Sequence, residues 1–108
     1  QAKVNKAGPV LVVGDKKKRV GRVLVDMTGG TSGSADTYQK LEFAGVGTVI
    51  CMHLMEKHRQ QAKKHNINVI VAGHMASDSL GLNLFLDQLE LRGIKIIPTS
   101  GLIRTKRL

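Results

Sequence analysis

Cysteine, aromatic residues and long apolar runs are all scarce in this 108-residue sequence. The single cysteine, Cys51, excludes an internal disulfide framework and a cysteine-rich zinc site. The aromatic residues are only Tyr38, Phe43 and Phe85, too few for the base-stacking platform of single-strand nucleic-acid binding. No apolar run approaches the roughly 18 residues of a membrane span, and no signal-peptide pattern opens the sequence. The sequence therefore predicts a soluble, cytoplasmic protein with no membrane partner.

The composition is otherwise that of one globular domain. Hydrophobic residues make up 42% and charged residues 23% of the chain, close to the averages for globular proteins, so disorder is not expected. A chain of this length predicts a single domain, residues 1–108, with a core that folds without a disulfide or metal.

Positive charge is in excess. Seventeen Lys and Arg residues stand against eight Asp and Glu residues, which gives a formal net charge of +9. Such an excess favours an anionic partner, either nucleic acid, a nucleotide or an acidic protein surface. Solvated faces without any partner explain the same excess. The charges form three groups, which are residues 16–19, a helix with Lys57, Arg59, Lys63 and Lys64, and a tail with Arg104, Lys106 and Arg107.

Short β-branched runs alternate with segments that lack helix breakers, which predicts an α/β fold. We expect strands at residues 10–13, 20–27, 47–52, 67–72 and 94–97, and helices at residues 35–44, 53–65 and 77–92. A Gly-Asp turn separates the first two strands and predicts an N-terminal β-hairpin. Helical crossovers predict a mostly parallel sheet in the order β-β-α-β-α-β-α-β, with the first strand antiparallel at an edge and the helices packed on the sheet. In the last helix, a stripe of apolar residues would face the sheet: Leu82, Phe85, Leu86 and Leu89.

Polar residues follow several predicted strands at their carboxyl ends, where open α/β sheets bind their ligands. The second strand ends near Asp26, the third ends at His53, and the fourth ends at Gly73 and His74. We therefore expect these side chains to gather along one edge of the sheet. Loops are polar in any case, so the same residues also fit loops without a ligand.

The pair His74 and Asp78 is the most specific chemical feature of the sequence. The two residues are four positions apart at the start of a predicted helix, so both can point from one face. An imidazole and a carboxylate at this spacing form half of a divalent-metal site, which needs at least two further ligands. The alternative is that Asp78 only interacts with the helix dipole and His74 is an ordinary loop residue.

The segment Gly29, Gly30, Thr31, Ser32 and Gly33 is a glycine- and hydroxyl-rich loop before a predicted helix. Its backbone N–H groups can bind an anion, such as a substrate phosphate. It lacks the Gly-Lys-Ser/Thr ending of a P-loop and the full G-x-G-x-x-G fingerprint. A flexible crossover that binds nothing is the alternative.

Other candidate residues are more simply explained by packing. His58 shares a helical face with Leu54 and Ala62, which favours a half-buried packing role over metal ligation. His65 lies near a helix C-terminus, where a positive charge is favoured. Cys51 lies within an apolar strand, so we expect burial rather than nucleophilic catalysis.

Three stretches of the sequence resemble the Nif-three-like dinuclear-metal proteins. The segment 67–78 resembles their C-terminal signature, an apolar strand followed by Gly-His, two residues, a small hydroxyl residue and Glu. The loop 29–33 is similar to the family's Gly-Gly-Ser-Gly segment, and residues 45–58 are similar to the part between the two, which ends in a histidine-bearing helix. The resemblance covers residues 22–100, most of the chain.

The resemblance implies an α/β domain that carries part of a two-metal site. His74 and Asp78 match the metal-binding His and acid of the family, with Asp78 one methylene shorter than the usual Glu. The histidines and aspartate that the family supplies from an N-terminal half have no counterpart here. The chain is then either the C-terminal portion of a longer protein or a stand-alone domain with a rebuilt site, for which His53 and Asp26 are the local replacements.

Three functional hypotheses follow, the third being a purely structural oligomerisation domain that binds neither metal nor anion. The first is a domain that binds a divalent metal (Zn, Mn or Fe) and acts as a metal-dependent hydrolase on a nucleotide-like or phosphorylated substrate. For this hypothesis the resemblance implies a homo-oligomer, since family members are often toroidal hexamers and some are described as GTP cyclohydrolase-like hydrolases. The second is a non-catalytic basic module that binds nucleic acid or a partner within a larger assembly.

Overall fold

The computed structural model describes residues 8–28 and 33–108. Its elements are β1 (Val10–Val13), β2 (Arg22–Asp26), α1 (Thr37–Phe43), β3 (Val46–Cys51), α2 (Glu56–Lys64), β4 (Asn68–Val71) and α3 (His74–Leu91). The described residues form two compact units. The sheet unit is Pro9–Gly73, and the helical unit contains Gly8 and His74–Leu108.

The sheet unit is built on a mixed four-stranded sheet with the strand order β1-β4-β3-β2. Strands β2 and β4 both pair parallel to β3, and β1 pairs antiparallel to β4. The prediction of an antiparallel first strand at an edge is confirmed, while the prediction of a mostly parallel sheet is corrected to a mixed one. The register places Asp26 beside Cys51 and Cys51 beside Val71, so the three parallel strands end level with one another.

The predicted hairpin between β1 and β2 is wrong, because residues 14–21 lead from one edge of the sheet to the other. This connection passes β4 and β3 near their amino ends. There the Asn68 amide donates a hydrogen bond to the Arg19 carbonyl at 3.4 Å, and the Thr48 hydroxyl donates one to the Val20 carbonyl at 2.7 Å. The connection is longer than the roughly two to five residues of a hairpin loop, and its carbonyls bond to other strands instead.

Helices α1 and α2 pack on one face of the sheet. Because strand side chains alternate between faces, Leu24 of β2 faces the core while Val23 and Val25 face the other side, where they are 48% and 59% exposed. Burial of β-branched side chains under the two helices supplies the main hydrophobic stabilisation of this unit. The buried core residues are Val13, Tyr38, Val49, Cys51, Ala62, Ile67 and Val69.

The helical unit differs most from its prediction. Helix α3 begins at His74, about one turn before the predicted start. Its buried side chains are the polar Asn83 and Asp87, whereas Leu82 and Phe85 of the predicted apolar stripe are exposed. The predicted last strand, residues 94–97, is also wrong, because that segment has no regular structure. It belongs to the helical unit rather than to the sheet unit, and Pro98 cannot donate to a strand ladder.

Arg104 attaches the C-terminal segment to α3. Its guanidinium donates hydrogen bonds to the carboxylates of Asp87 at 2.5 Å and Glu90 at 2.8 Å, and to the side-chain oxygen of Asn83 at 3.1 Å. The backbone N–H of Arg107 donates to the second oxygen of Asp87 at 3.1 Å. Both oxygens of the buried Asp87 carboxylate are therefore bonded, which is the condition for burying a charge.

We expect acid to loosen the attachment of this C-terminal segment. The hydrogen bond from Arg104 holds the pKa of Asp87 below its usual range. The contribution of Asp87 to stability is therefore present above the ordinary carboxyl pKa of about 3.9 and is lost as the pH falls through the lower folded value. Circular dichroism during an acid titration should show this loss in the parent protein and not in Asp87→Asn. Asp78→Asn, on the same helix, should keep the parent's acid transition, and an identical transition in all three proteins would contradict the assignment.

We expect Gly47 to tolerate no side chain. An added Cβ there would lie 2.5 Å from the Val20 carbonyl oxygen, where the 14–21 connection crosses β3. Gly47→Ala should lower the free energy of unfolding by about 1–3 kcal/mol, the usual cost of overpacking. Gly81→Ala is the matched control in α3, where nothing lies within 4 Å of an added Cβ, and it should raise stability by about 0.5–1 kcal/mol. Urea unfolding measures both effects, and equal stabilities for the two variants would refute the close approach.

Candidate functional site

The structure brings His74 and Asp78 together at the start of α3. Their positions, four residues apart, put both side chains on one helix face, and Nε2 of His74 lies 3.1 Å from Oδ2 of Asp78. Both side chains are more than half exposed. An ion pair this exposed contributes little to the stability of the fold, so stability does not explain why His74 and Asp78 are paired.

This pair offers a divalent metal ion suitable donor atoms at a suitable spacing, but only two of them. Two ligand atoms about 2.1 Å from one ion lie roughly 3.0 Å apart in octahedral and 3.4 Å apart in tetrahedral coordination, and the observed 3.1 Å separation falls between. Within residues 8–28 and 33–108, no three His, Cys, Asp or Glu side chains are arranged to hold a metal. The pair thus has two donors of the kind that metal sites use, and the metal site expected from its spacing stays a prediction.

Asp26 and His53, predicted as further metal ligands, line a common cavity in the sheet unit. The cavity lies at the level ends of β2 and β3, and Tyr38, Cys51 and His58 also line it. A second, larger cavity of about 250 Å³ shares Asp26, Tyr38 and His58 with the first. The parallel register sets Asp26 beside Cys51, so Asp26 and His53, which follows the end of β3, can line the same cavity.

His58 is the residue that sequence reasoning undervalued. It lies on α2 with only 7% of its surface exposed, and neither ring nitrogen has a hydrogen-bond partner within residues 8–28 and 33–108. Its ring meets the edge of the Tyr38 ring at a centroid distance of 5.9 Å and an angle of 73°. The spacing with Leu54 and Ala62 correctly indicated a buried face. The spacing of residues within α2 cannot show whether the His58 nitrogens have hydrogen-bond partners, because such partners would come from other helices, strands or loops.

Burial and nearby negative charge keep two cavity groups neutral. Burial, followed by the negative charges of an ionised Cys51 and of Asp26, raises the pKa of Tyr38 to about 12. Burial, followed by Asp26, also raises the pKa of the Cys51 thiol. The phenol therefore remains a hydrogen-bond donor at neutral pH, and the thiol is a poor nucleophile, in line with the structural role predicted for Cys51.

The other residues singled out in the sequence are the glycine loop, His65 and the basic residues 16–19, and the structure does not place the described ones among them in one common site. Gly29, Gly30, Thr31 and Ser32 lie outside the described residues, while Gly33 has a φ of 67° and lines the larger cavity. His65 pairs with Glu42 through a contact of 2.6 Å between Nδ1 and Oε2. The basic residues 16–19 are exposed in the connection between β1 and β2.

Within the described parts of the chain, no helix is long and apolar enough to cross a membrane.

Two solved structures resemble this chain, whereas no protein-family model and no curated protein matches it. A NIF3 superfamily protein from Sphaerobacter thermophilus is 30% identical, with a TM-score of 0.68 over 87% of this chain and 34% of that one. The reduced HcgD from Methanocaldococcus jannaschii is 17% identical, with a TM-score of 0.60 over 77% of this chain and 32% of that one, a likeness of fold alone. The chain spans about a third of the length of each.

We expect Tyr38 to ionise near pH 12 in the folded protein and near pH 10 in denaturant. It is the only tyrosine, and tryptophan is absent, so ultraviolet absorbance of phenolate reports this residue alone. Since folding disfavours the phenolate, stability should fall as the pH rises above 10. Asp26→Asn should lower the folded midpoint by removing a nearby negative charge. A folded midpoint equal to the denatured one would show that Tyr38 is not buried in the cavity.

Proposed function

We propose that His74 and Asp78 supply two ligands to a divalent metal ion in this chain, whose fold is NIF3-like, as its sequence predicted. The observation that supports this proposal is the 3.1 Å separation of His74 Nε2 and Asp78 Oδ2. A nitrogen and an oxygen donor together suit Zn²⁺, Mn²⁺ or Fe²⁺. The exposure of both side chains leaves room for further ligands around such an ion.

The proposed activity is metal-dependent hydrolysis of a phosphorylated or nucleotide-like substrate. When bound, the metal would lower the pKa of a water molecule and polarise a carbonyl, imine or phosphoryl group. His74 and Asp78 would fix its position at the start of α3. The net charge of +9 would attract an anionic substrate. Anion binding by the loop 29–33 stays a separate prediction.

We further propose that the working protein is a homo-oligomer. Two protein ligands are fewer than the three or four that metal sites ordinarily use. Water, the substrate or a neighbouring subunit would supply the rest. Asp26 and His53 are not included in this proposal, because no three candidate ligands among the described residues of the chain are arranged to hold a metal.

Metal titration tests the proposal directly. After removal of metal by a chelator, the protein should bind Zn²⁺ or Mn²⁺ in calorimetry, and protein purified without chelator should contain metal by elemental analysis. His74→Ala and Asp78→Ala should each weaken binding by at least about tenfold, the lower bound of the loss when even a supporting residue is removed. Asp78→Glu keeps the carboxylate and should retain binding.

The matched control is His65→Ala, which breaks another histidine–carboxylate pair, the one with Glu42. It should leave metal affinity unchanged within about twofold. Equal losses in His65→Ala and His74→Ala would mean that imidazole groups bind metal without a specific site. Full metal content in His74→Ala would refute the proposed ligand.

A further inference from the structure

The cavity of about 250 Å³ in the sheet unit has an electrostatic character opposite to that of the chain. The chain carries a net charge of +9, yet neither this cavity nor its smaller neighbour is lined by any Lys or Arg among the described residues. The acidic residue in both linings is Asp26. The Asp26 carboxylate favours a positively charged group beside it.

Asp26 has an oxygen available for a ligand. Its Oδ1 accepts hydrogen bonds from the backbone N–H of Thr28 at 3.1 Å and from the Thr28 hydroxyl. No side chain or backbone group of the described residues donates to Oδ2. Thr28 therefore fixes the orientation of the carboxylate while its second oxygen can accept further N–H groups.

His58 supplies the second polar contact. A neutral imidazole always has one acceptor nitrogen and one N–H, and both nitrogens of His58 are buried without a partner among the residues that the structure describes. Buried polar groups without partners are rare in folded proteins and require an explanation such as an absent ligand. His58 lines both cavities, so a molecule bound there would reach it.

We propose that this cavity binds a small, planar organic cation with N–H donors, such as an amidinium on a single ring, between Asp26 and His58. The apolar walls formed by Leu24, Leu41 and Val49 suit the ring, and the carboxylate suits the charged end. The volume lies below the roughly 300–1,000 Å³ of drug-sized pockets, which limits the ligand to about one ring. The Tyr38 hydroxyl, protonated up to a pKa of about 12, adds a donor without adding a negative charge.

The proposal is independent of the metal at His74 and Asp78. Every residue that carries it lies within the sheet unit, and none of them needs a bound ion. Measurements in the presence of a metal chelator therefore separate failure of one proposal from failure of the other.

Benzamidine, benzamide and benzoate are the probes, because they are nearly the same size and carry a positive, zero and negative charge. Titrations by calorimetry and by ¹⁵N NMR with chelator present should give saturable binding of benzamidine with a Kd of about 1 mM, as expected for so few atoms. Benzamide should bind more weakly and benzoate not measurably. The largest NMR shifts should fall on Asp26, Thr28, Tyr38 and His58. Equal affinities for benzamidine and benzoate, or no saturable binding of benzamidine, would overturn the proposal.

Asp26→Asn and Asp15→Asn form a matched pair of variants. Each removes one negative charge, and each aspartate accepts a bond from the backbone N–H two residues later, Lys17 in the case of Asp15. Asp26→Asn should weaken benzamidine binding by at least about tenfold. Asp15→Asn should change it by less than about twofold. Equal effects would show that net charge, rather than the cavity, attracts the probe.

His58→Leu separates ligand binding from a structural role. It replaces a buried polar ring that lacks partners by an apolar side chain, so the melting temperature should stay the same or rise while benzamidine affinity falls at least about fivefold. A lower melting temperature together with unchanged affinity would show that His58 serves only packing. If His58→Leu fails to fold, His58→Gln is the substitute variant, because it keeps an acceptor and should retain measurable benzamidine binding. Loss of benzamidine binding in His58→Gln, together with parent-like affinity in Asp26→Asn, would overturn the assignment.

Discussion

The carboxyl ends of β2, β3 and β4 lie level because the parallel register pairs the last residue of each strand with the last residue of its neighbour. That register sets Asp26 beside Cys51 and Cys51 beside Val71. The cavity of the sheet unit lies at this edge, where residues at the ends of β2 and β3 line it together with side chains of α1 and α2. A one-residue slip of β2 would turn Asp26 to the other face and replace it in the cavity by an apolar neighbour.

Irregular segments in both units depend on buried polar side chains. In the sheet unit, Thr48 and Asn68 bond to the carbonyls of the connection that crosses them. In the helical unit, Asn83 and Asp87 bond to the C-terminal segment. Backbone groups without a strand or helix need such partners wherever water is excluded. These side chains therefore define the path of the chain where secondary structure does not.

Local sequence patterns predicted the α/β class, the four observed strands and the three helices, since β-branched runs and breaker-free segments act over a few residues. Strand pairing could not be predicted in this way, because it joins segments that are distant in sequence. The path of residues 14–21 could not be predicted either, because Thr48 and Asn68, which bond to its carbonyls, lie far along the chain. The His74–Asp78 contact was predictable from helical spacing. The lack of partners for the His58 nitrogens among the described residues could not be predicted, because it depends on elements that are distant in sequence.

The order β1-β4-β3-β2 leaves β1 and β2 as the outer strands of the described sheet, and outer strands invite unwanted pairing with other chains. Each carries a protective feature. β1 follows Pro9, which has no N–H to offer a neighbour, and it has an irregular register between Leu11 and Val13. β2, with its exposed valines, has Arg22 at one end and Asp26 at the other. Charged residues at the ends of an outer strand disfavour fibril-like stacking, so Asp26 has a structural consequence here that needs no ligand.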